Sequence, residues 1–380
     1  MIDRSNIVAK LDGGDEPPLL LISHLDVADV DESKWRFPPF SATFSDNEIW
    51  SRGTLDTKHL TVMQLASFIN LKRKQISLNR DVYFIATADE ENGSEHGMAY
   101  MVKKHPEYFP SGTVINEGGG FYVTYRGKKF LLLSVGEKGN CTICLNTKGQ
   151  SGHASCPPDD QAIQKLSVAI RQLLDTPLPK NHSEISEIFL DTLGVKKSKM
   201  GISDYFDLEN SEEKLLKKLY NYMLENEVKV KQIDVGDQIN AIPYKATAKL
   251  QFKLLPGTTK QDIERFIRYA LKEVEAEWQI ESFHEGFVND EDVSITEAFQ
   301  RVIKELGFDA KLLPFLALGQ TDGRFLTNSH VLGFSPVCND TPFIKVLHKV
   351  HQPDESISVN SFVFGTQVMR EAVLNVCQRK

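Results

Sequence analysis

Short, almost continuous apolar segments alternate with helical patterns through the first third of the chain. The segments PPLLLIS, DVYFIATA and GTVIN lack the polar alternation of a half-exposed strand. Strands of this kind are typical of a parallel sheet that helices cover on both faces. Between the first two segments, LTVMQLASFINLKRK has apolar residues at close to helical spacing. The pattern therefore predicts an α/β domain with a mostly parallel sheet flanked by helices.

The middle of the chain, from about Gly136, has a different pattern. Strand, helix, two strands, helix and strand follow one another, with an amphipathic helix around SEEKLLKKLYNYMLEN inserted among them. This order is that of a ferredoxin-like α+β sandwich. After Asp290 the α/β pattern returns. We therefore expect a discontinuous first domain, residues 1–136 and 289–380, and an inserted domain at residues 137–288.

Two helices of the middle region carry start signals in the sequence. Asn210 is expected to cap the helix around SEEKLL, with Glu213 at its third position. Thr258 and Gln261 have the spacing of a capping box at the start of the next helix.

The composition excludes several classes of protein. A net charge of −8 over 380 residues is unlike the basic face of a nucleic-acid-binding domain. No apolar run reaches the roughly 18 residues of a membrane span, and the first residues contain no apolar core of a secretory signal. Five scattered cysteines are typical of reduced thiols. We therefore expect a cytoplasmic enzyme with no nucleic-acid or membrane partner.

The apolar segments end in residues that can bind metal ions. These residues are His24 and Asp26 after PPLLLIS, Asp89, Glu90 and Glu91 after DVYFIATA, and Glu117 after GTVIN. Ligands of an open α/β sheet bind outside the carboxyl ends of its strands. Because neighbouring carboxylates repel one another, we expect a cation among them.

Further candidate ligands lie in loops. Asp56 stands in SRGTLDTKH, and His348 and His351 stand in LHKVHQPDESISV. Imidazole and carboxylate together suit zinc, with cobalt or manganese as substitutes. Several carboxylates with few histidines point to two metals that share a bridging acid. Each residue alone has an ordinary alternative, since Asp56 could simply cap the next helix, and only their common placement favours a metal site.

These motifs resemble those of a known family. Along the chain they read SHLDV, SRGTLDTKH, DEENGSEHG, INEGGG, GQSGHAS, NAIP, GQTDGRF and VHQPDESISV. In this order they resemble the di-zinc aminoacylase/carboxypeptidase metallopeptidase family, which includes glutamate carboxypeptidase, acetylornithine deacetylase, succinyl-diaminopimelate desuccinylase and carnosinase. The residues of these motifs are most similar to those of the branch that contains carboxypeptidase S and the N-acyl-amino-acid hydrolases. The resemblance implies a zinc-peptidase-like catalytic first domain and an inserted lid that also pairs two subunits as a homodimer.

The resemblance implies two Zn²⁺ ions per subunit and a role for each ligand. His24 and Glu117 would hold one ion, Glu91 and His351 would hold the other, and Asp56 would bridge the two. The motif HQPDE favours His351 over His348 as the ligand.

The resemblance also implies catalytic and substrate-binding residues. Glu90 would be the general base, and Asp26 would accept a hydrogen bond from His24 and fix its tautomer. His153 would stabilise the oxyanion, from the partner subunit in dimeric relatives. Asn240 and Arg324 would bind a substrate carboxylate, to which the planar fork of arginine is suited.

The sequence therefore predicts a metal-dependent hydrolase that cleaves the amide bond of small peptides or N-acyl amino acids with a free carboxylate. Exopeptidase, dipeptidase and aminoacylase activities all fit this description. One alternative is a deacylase or desuccinylase of amino-acid biosynthesis. Another is a catalytically silent scaffold that binds metal.

Overall fold

The structure, a computed structural model, describes residues 5–181, 183–195, 205–236, 240–289 and 293–379. Backbone contacts divide the chain into two units. The first unit comprises residues 1–136, 185–220 and 288–380, and the second comprises residues 137–184 and 221–287.

Strands and helices are numbered in chain order. The strands are β1 (Ile7–Leu11), β2 (Glu16–His24), β3 (Thr43–Ser45), β4 (Glu48–Trp50), β5 (Arg80–Thr87), β6 (Thr113–Asn116), β7 (Tyr122–Tyr125), β8 (Lys128–Glu137), β9 (Gly139–Lys148), β10 (Gly152–His153), β11 (Glu227–Asp234), β12 (Ala241–Ile242), β13 (Lys245–Leu254), β14 (Glu277–His284), β15 (Phe287–Val288), β16 (Ala310–Ala317), β17 (His330–Gly333) and β18 (Ser356–Ser358). The helices are α1 (Lys58–Arg73), α2 (Met98–Lys104), α3 (Ala162–Asp175), α4 (Ile185–Leu193), α5 (Ser211–Tyr222), α6 (Lys260–Ala270), α7 (Val293–Glu305), α8 (Phe343–Lys349) and α9 (Val359–Cys377).

A mixed sheet forms the centre of the first unit. Its four neighbouring strands β5, β2, β6 and β17 run parallel, and β1 and β8 extend them antiparallel. The register places His24 opposite Thr87 and Leu21 opposite Ile115. The carboxyl ends of β2, β5 and β6 therefore meet at one edge of the sheet. The predicted α/β class is confirmed.

Complete burial explains why the strands of this sheet read as continuous apolar segments. Leu19, Leu20, Leu21 and Ile22 of β2 have no exposed surface, as expected of a strand covered on both sides. Helix α1 packs on β2 and β5 and against α9. A separate three-stranded sheet has the order β18-β4-β3. Its strand β4 directly precedes the loop that leads to α1.

Four antiparallel strands in the order β11-β13-β9-β14 form the sheet of the second unit. Helix α3 packs on β9 and β13 and against α6. The order of elements, strand-helix-strand-strand-helix-strand, is that of the ferredoxin-like sandwich expected from the sequence.

The segment 185–220, expected within the inserted domain, groups instead with the first unit. Helix α4 packs on β16. The hydroxyl of Tyr125 donates a hydrogen bond to the carbonyl of Tyr205 at 2.7 Å, and the amide of Thr124 donates to Glu212 at 2.9 Å. These contacts explain why the segment belongs to the first unit although it interrupts the second in sequence.

One of the two predicted helix caps is confirmed, and the other is displaced by one residue. Asn210 accepts from the amides of Glu212 at 3.0 Å and Glu213 at 3.2 Å. The capping box of α6 is formed by Thr259 and Asp262 rather than by Thr258 and Gln261. Thr258 is buried, and its hydroxyl instead accepts hydrogen bonds from Asn181 at 3.0 Å and Asn226 at 3.3 Å.

The five cysteines are free thiols. Among the described residues, no helix combines the length and apolar character that crossing a membrane requires.

Candidate metal centre and active site

His24, the last residue of β2, lies at the centre of the first group of possible metal ligands. Its side chain is buried, and its Nε2 atom is 3.1 Å from Oδ1 of Asp56 and 3.4 Å from Oε2 of Glu117. Glu117 directly follows β6, so the shared edge of the parallel strands brings His24 and Glu117 together.

His351 lies at the centre of the second group. It has a left-handed backbone conformation (φ 61°) in the turn between α8 and β18. Its Nε2 atom is 3.0 Å from Oδ2 of Asp56 and 3.2 Å from Oε2 of Glu91. In each group the ligand atoms lie within 4.8 Å of one another. Asp56 therefore presents one carboxylate oxygen to each histidine, an arrangement that would let it bridge two metal ions.

The electrostatics of the two groups favour positive charge beside the carboxylates. Burial raises the pKa of Glu117. Burial would also raise the pKa of Asp56, but hydrogen bonds with His24 and His351 hold it below its usual range. Hydrogen bonds with Asp56 and Glu91 raise the pKa of His351 to about 10. Nitrogen and oxygen donors gathered around one shared carboxylate fit two divalent ions, and zinc suits this donor set.

A buried ion pair holds the loop that carries Asp56. Glu355 is completely buried, and its Oε2 atom accepts from Nη1 of Arg52 at 2.6 Å. The other oxygen, Oε1, accepts from the backbone amides of Leu55 at 2.6 Å and Asp56 at 3.2 Å. The guanidinium of Arg52 also lies over the ring of Trp35. Glu355 therefore fixes the backbone of the proposed bridging residue.

Glu355→Gln is expected to lower the free energy of unfolding by roughly 3–5 kcal/mol, because it leaves the charge of Arg52 buried and unpaired. Metal affinity is expected to fall about 10–100-fold, as for other residues that orient a ligand. Urea unfolding and metal titration measure the two effects. Glu277→Gln is the control, because its pair with Lys148 is exposed and should contribute less than about 1 kcal/mol. Equal costs for both variants would contradict the role of Glu355.

Asp26 organises the loop of the three consecutive acids Asp89, Glu90 and Glu91, here called the DEE loop. After β5 the chain turns at Asp89, which has a φ of 70°, into the short helical turn Glu90–Asn92. The two carboxylate oxygens of Asp26 accept from the amides of Glu90 and Glu91, both at 3.1 Å. Nδ1 of His24 lies 2.9 Å from the backbone carbonyl of Asp26 and 3.6 Å from its carboxylate. Asp26 therefore supports both the DEE loop and the orientation of His24.

Glu90 lies beside the two groups without belonging to either. Its side chain is mostly buried, and its Oε1 atom is 3.3 Å from Nη1 of Arg324. Burial and the charge of Glu117 raise the pKa of Glu90 well above its usual value. A carboxylate with a raised pKa is suited to accept and return a proton near neutral pH.

A cleft of about 510 Å³ opens next to these residues, and Asp56, Glu90, Glu91 and His351 line it. The cleft is also lined by apolar side chains, here called its apolar wall: Phe121, Phe315, Leu318, Phe343, Val346 and Leu347. The rings of Phe121 and Phe343 stack with centroids 4.6 Å apart. The cleft therefore combines a few convergent polar groups with an apolar surface, as ligand sites usually do.

His153 and Asn240 lie close to each other in the second unit. His153 is in β10, which pairs with β12, and the amide of Ala154 donates to the carbonyl of Asn240 at 3.4 Å. Both residues are exposed. Nδ1 of His153 accepts from the amide of Ser155 at 3.2 Å. The roles of His153 and Asn240 stay predictions.

Sequence reasoning missed Glu355 and Arg52, and it also missed the buried Asp322, whose carboxylate accepts hydrogen bonds from Thr87 at 2.7 Å and Ser94 at 2.5 Å. Glu355 and Asp322 stand in the motifs HQPDES and TDGRF, so an acid inside each motif was the available signal. Arg52 had no comparable signal, because its partner is about 300 residues away. His348, the alternative to His351, is exposed on α8 and belongs to neither ligand group.

The chain is similar to several curated proteins over most of its length. It is 25% identical to the human N-fatty-acyl-amino acid synthase/hydrolase PM20D1, over 94% of this chain and 74% of that protein. It is 26% identical to a probable carboxypeptidase S-like 2 from Dictyostelium discoideum, over 91% of this chain and 69% of that protein.

Solved structures share the fold. An M20 family metallo-carboxypeptidase from Sulfolobus solfataricus matches with a TM-score of 0.74 at 20% identity, covering 98% of this chain and 87% of the other. Human carnosine dipeptidase 1 matches with a TM-score of 0.65 at 15% identity, covering 98% and 83%. The model of Peptidase family M20/M25/M40 matches residues 20–375. The chain therefore belongs to Peptidase family M20/M25/M40 and is a hydrolytic enzyme.

Proposed function

We propose that the protein hydrolyses the amide bond of N-acyl amino acids or small peptides that carry a free carboxylate, with two divalent metal ions as cofactors. One observation carries the proposal: His24 and His351 face the two oxygens of the single carboxylate of Asp56. Glu90 lies next to this arrangement at the cleft. A shared carboxylate beside a separate acid–base residue suits metal-assisted hydrolysis.

The proposed metal ligands are His24, Asp56, Glu91, Glu117 and His351. Two bound ions would supply Lewis acidity at the amide carbonyl and lower the pKa of a water molecule toward neutrality.

The acid–base step depends on Glu90. Its carboxylate takes a proton from the water as the water oxygen bonds to the amide carbon. It then gives that proton to the nitrogen as the carbon–nitrogen bond breaks, so that a carboxylic acid and an amine leave. Asp26 holds the amide of Glu90 and thereby keeps the base at the cleft.

The apolar wall supports a substrate with an apolar acyl or side-chain group next to the scissile bond. Phe121, Phe315 and Phe343 together offer a surface for such a group, and burying a side chain of leucine size contributes about 1.5–3 kcal/mol. This preference agrees with the activity of the human relative PM20D1, an N-fatty-acyl-amino acid synthase/hydrolase. We therefore place N-acyl amino acids with apolar acyl chains first among the substrates.

A panel of substrates tests the proposal. Dipeptides, N-acetyl, N-succinyl and longer N-acyl amino acids are incubated with metal-stripped and with zinc-reloaded protein, and the products are identified by mass spectrometry. N-succinyl substrates are included because a probable succinyl-diaminopimelate desuccinylase is 24% identical. The proposal expects zinc-dependent cleavage that increases with the apolar length of the acyl chain. Turnover of none of these amides, or equal turnover without metal, would contradict it.

Leu347→Asp is expected to lower kcat/KM for a long-chain N-acyl amino acid roughly tenfold, because a charge replaces about 1–2 kcal/mol of apolar contact. The effect on an N-acetyl amino acid is expected to be less than about threefold. Leu65→Asp is the matched control, because Leu65 is 38% exposed and Leu347 is 41% exposed, and Leu65 does not line the cleft. Equal losses for the two variants, or for both substrates, would exclude a role of the wall in specificity.

Three further features belong to the same proposal. His153 would stabilise the oxyanion, Asn240 would bind the substrate carboxylate, and two chains would associate through the second unit. A cytoplasmic location completes the proposal.

A further inference from the structure

The guanidinium of Arg324 is already engaged by the protein. Nη1 donates to the carbonyl of Thr321 at 2.6 Å and to Oε1 of Glu90 at 3.3 Å, and Nη2 donates to the hydroxyl of Ser94 at 3.0 Å. The side chain is 5% exposed. An arginine has five N–H groups, so three of the five are used in these contacts.

The remaining N–H groups of Arg324 do not form an accessible fork. Nε is buried, and both N–H groups of Nη1 already donate hydrogen bonds, one to Thr321 and one to Glu90. Bidentate binding of a carboxylate needs two parallel N–H groups in one plane. Only a single hydrogen on Nη2 is left for a ligand, which disfavours the carboxylate clamp expected from the sequence.

Ser94 connects Arg324 to a buried anchor. The hydroxyl of Ser94 accepts from Arg324 and donates to Oδ1 of Asp322 at 2.5 Å. Oδ2 of Asp322 accepts from the hydroxyl of Thr87 at 2.7 Å. Thr87 is the last residue of strand β5, and Ser94, Asp322 and Thr87 are all at least 98% buried. The guanidinium is therefore fixed to the sheet through two hydrogen-bonded side chains.

We propose that Arg324 is a positioning residue that holds the carboxylate of Glu90 at the cleft, and that Ser94 and Asp322 hold Arg324 in place for this task. The proposal rests on the proposed function of Glu90 as the acid–base residue. A displacement of about 1 Å of a catalytic group can cost about 10²-fold in rate. A rigid buried donor that is anchored to a strand prevents such a displacement.

The test measures kcat and KM separately. Arg324→Met is expected to lower kcat about 100-fold and to change KM less than threefold. Ser94→Ala touches no substrate and is expected to lower kcat about tenfold, again with little change in KM. Arg324→Lys, which keeps the charge but loses the fork, is expected to retain more activity than Arg324→Met. Arg301→Met, at an exposed arginine of α7, is the control and is expected to behave as wild type.

Two results would overturn the proposal. One is a KM that rises tenfold or more in Arg324→Met while kcat is kept, which is the signature of a substrate clamp. The other is a Ser94→Ala variant with wild-type kcat.

Crystal structures of the wild type and Arg324→Met give a readout that does not depend on activity. We expect the carboxylate of Glu90 to leave its position in the variant, and an unmoved Glu90 would also overturn the proposal. Failure of the wild type to cleave any amide would contradict the proposed function, whereas the crystal structures would still decide the role of Arg324. The metal content of all variants is expected to equal that of the wild type, because Arg324 and Ser94 are not among the ligands.

Discussion

Glu90→Gln is expected to lower kcat by about 10²–10⁴-fold, the contribution that a general acid–base residue commonly makes. Glutamine has nearly the same shape as glutamate, and its carbonyl oxygen can still accept the hydrogen bond from Arg324. It cannot accept the proton from water. Because Glu90 belongs to neither ligand group, the variant is expected to bind as much metal as the wild type. Steady-state kinetics and metal analysis of the same preparations measure both properties.

Glu95→Gln is the matched control for this experiment. Glu95 lies five residues farther along the same loop and is exposed, so its loss should change kcat less than about twofold. A Glu90→Gln variant with more than a tenth of the wild-type kcat would exclude Glu90 as the base. A variant that loses both activity and metal would show that Glu90 acts as a ligand instead.

Asp56→Asn is expected to weaken binding of both metal ions, by more than the roughly 10–100-fold that is typical for residues beyond the direct ligands. The reason is that Asp56 faces both His24 and His351. Glu117→Gln and Glu91→Gln each affect one group and are therefore expected to weaken one ion selectively. Metal analysis after dialysis against a competing chelator distinguishes the cases. Retention of one tightly bound ion in Asp56→Asn, with both lost in Glu91→Gln, would contradict the bridging role.

The sequence predicted which candidate ligands lie together because two simple patterns coincide in them. The continuous apolar segments identify buried parallel strands, and the residues that follow them meet at one edge, as His24 and Glu117 do. Asp56 and His351 come from loops, where their residue types made them candidates together with His348, and the resemblance of their motifs to a family selected them as ligands. In the structure, the carboxylate of Asp56 lies 3.1 Å from Nε2 of His24 and 3.0 Å from Nε2 of His351.

Interactions between distant parts of the chain were not predictable from a single sequence. Glu355 supports Asp56 across about 300 residues, and no local pattern connects the two. The same holds for Thr258, whose burial against Asn181 and Asn226 moves the helix cap to Thr259. Arg324 was expected at the substrate because the motif was recognised, whereas its donors are engaged by neighbours that only the tertiary structure reveals.

The most direct test of a metal-dependent active site is a titration of metal-stripped protein with zinc, in which bound metal and hydrolysis of an N-acyl amino acid are measured together. We expect two equivalents of zinc to bind per chain and activity to appear only as they bind. Full activity in the stripped protein, or a chain that binds no zinc with its ligands intact, would contradict the account.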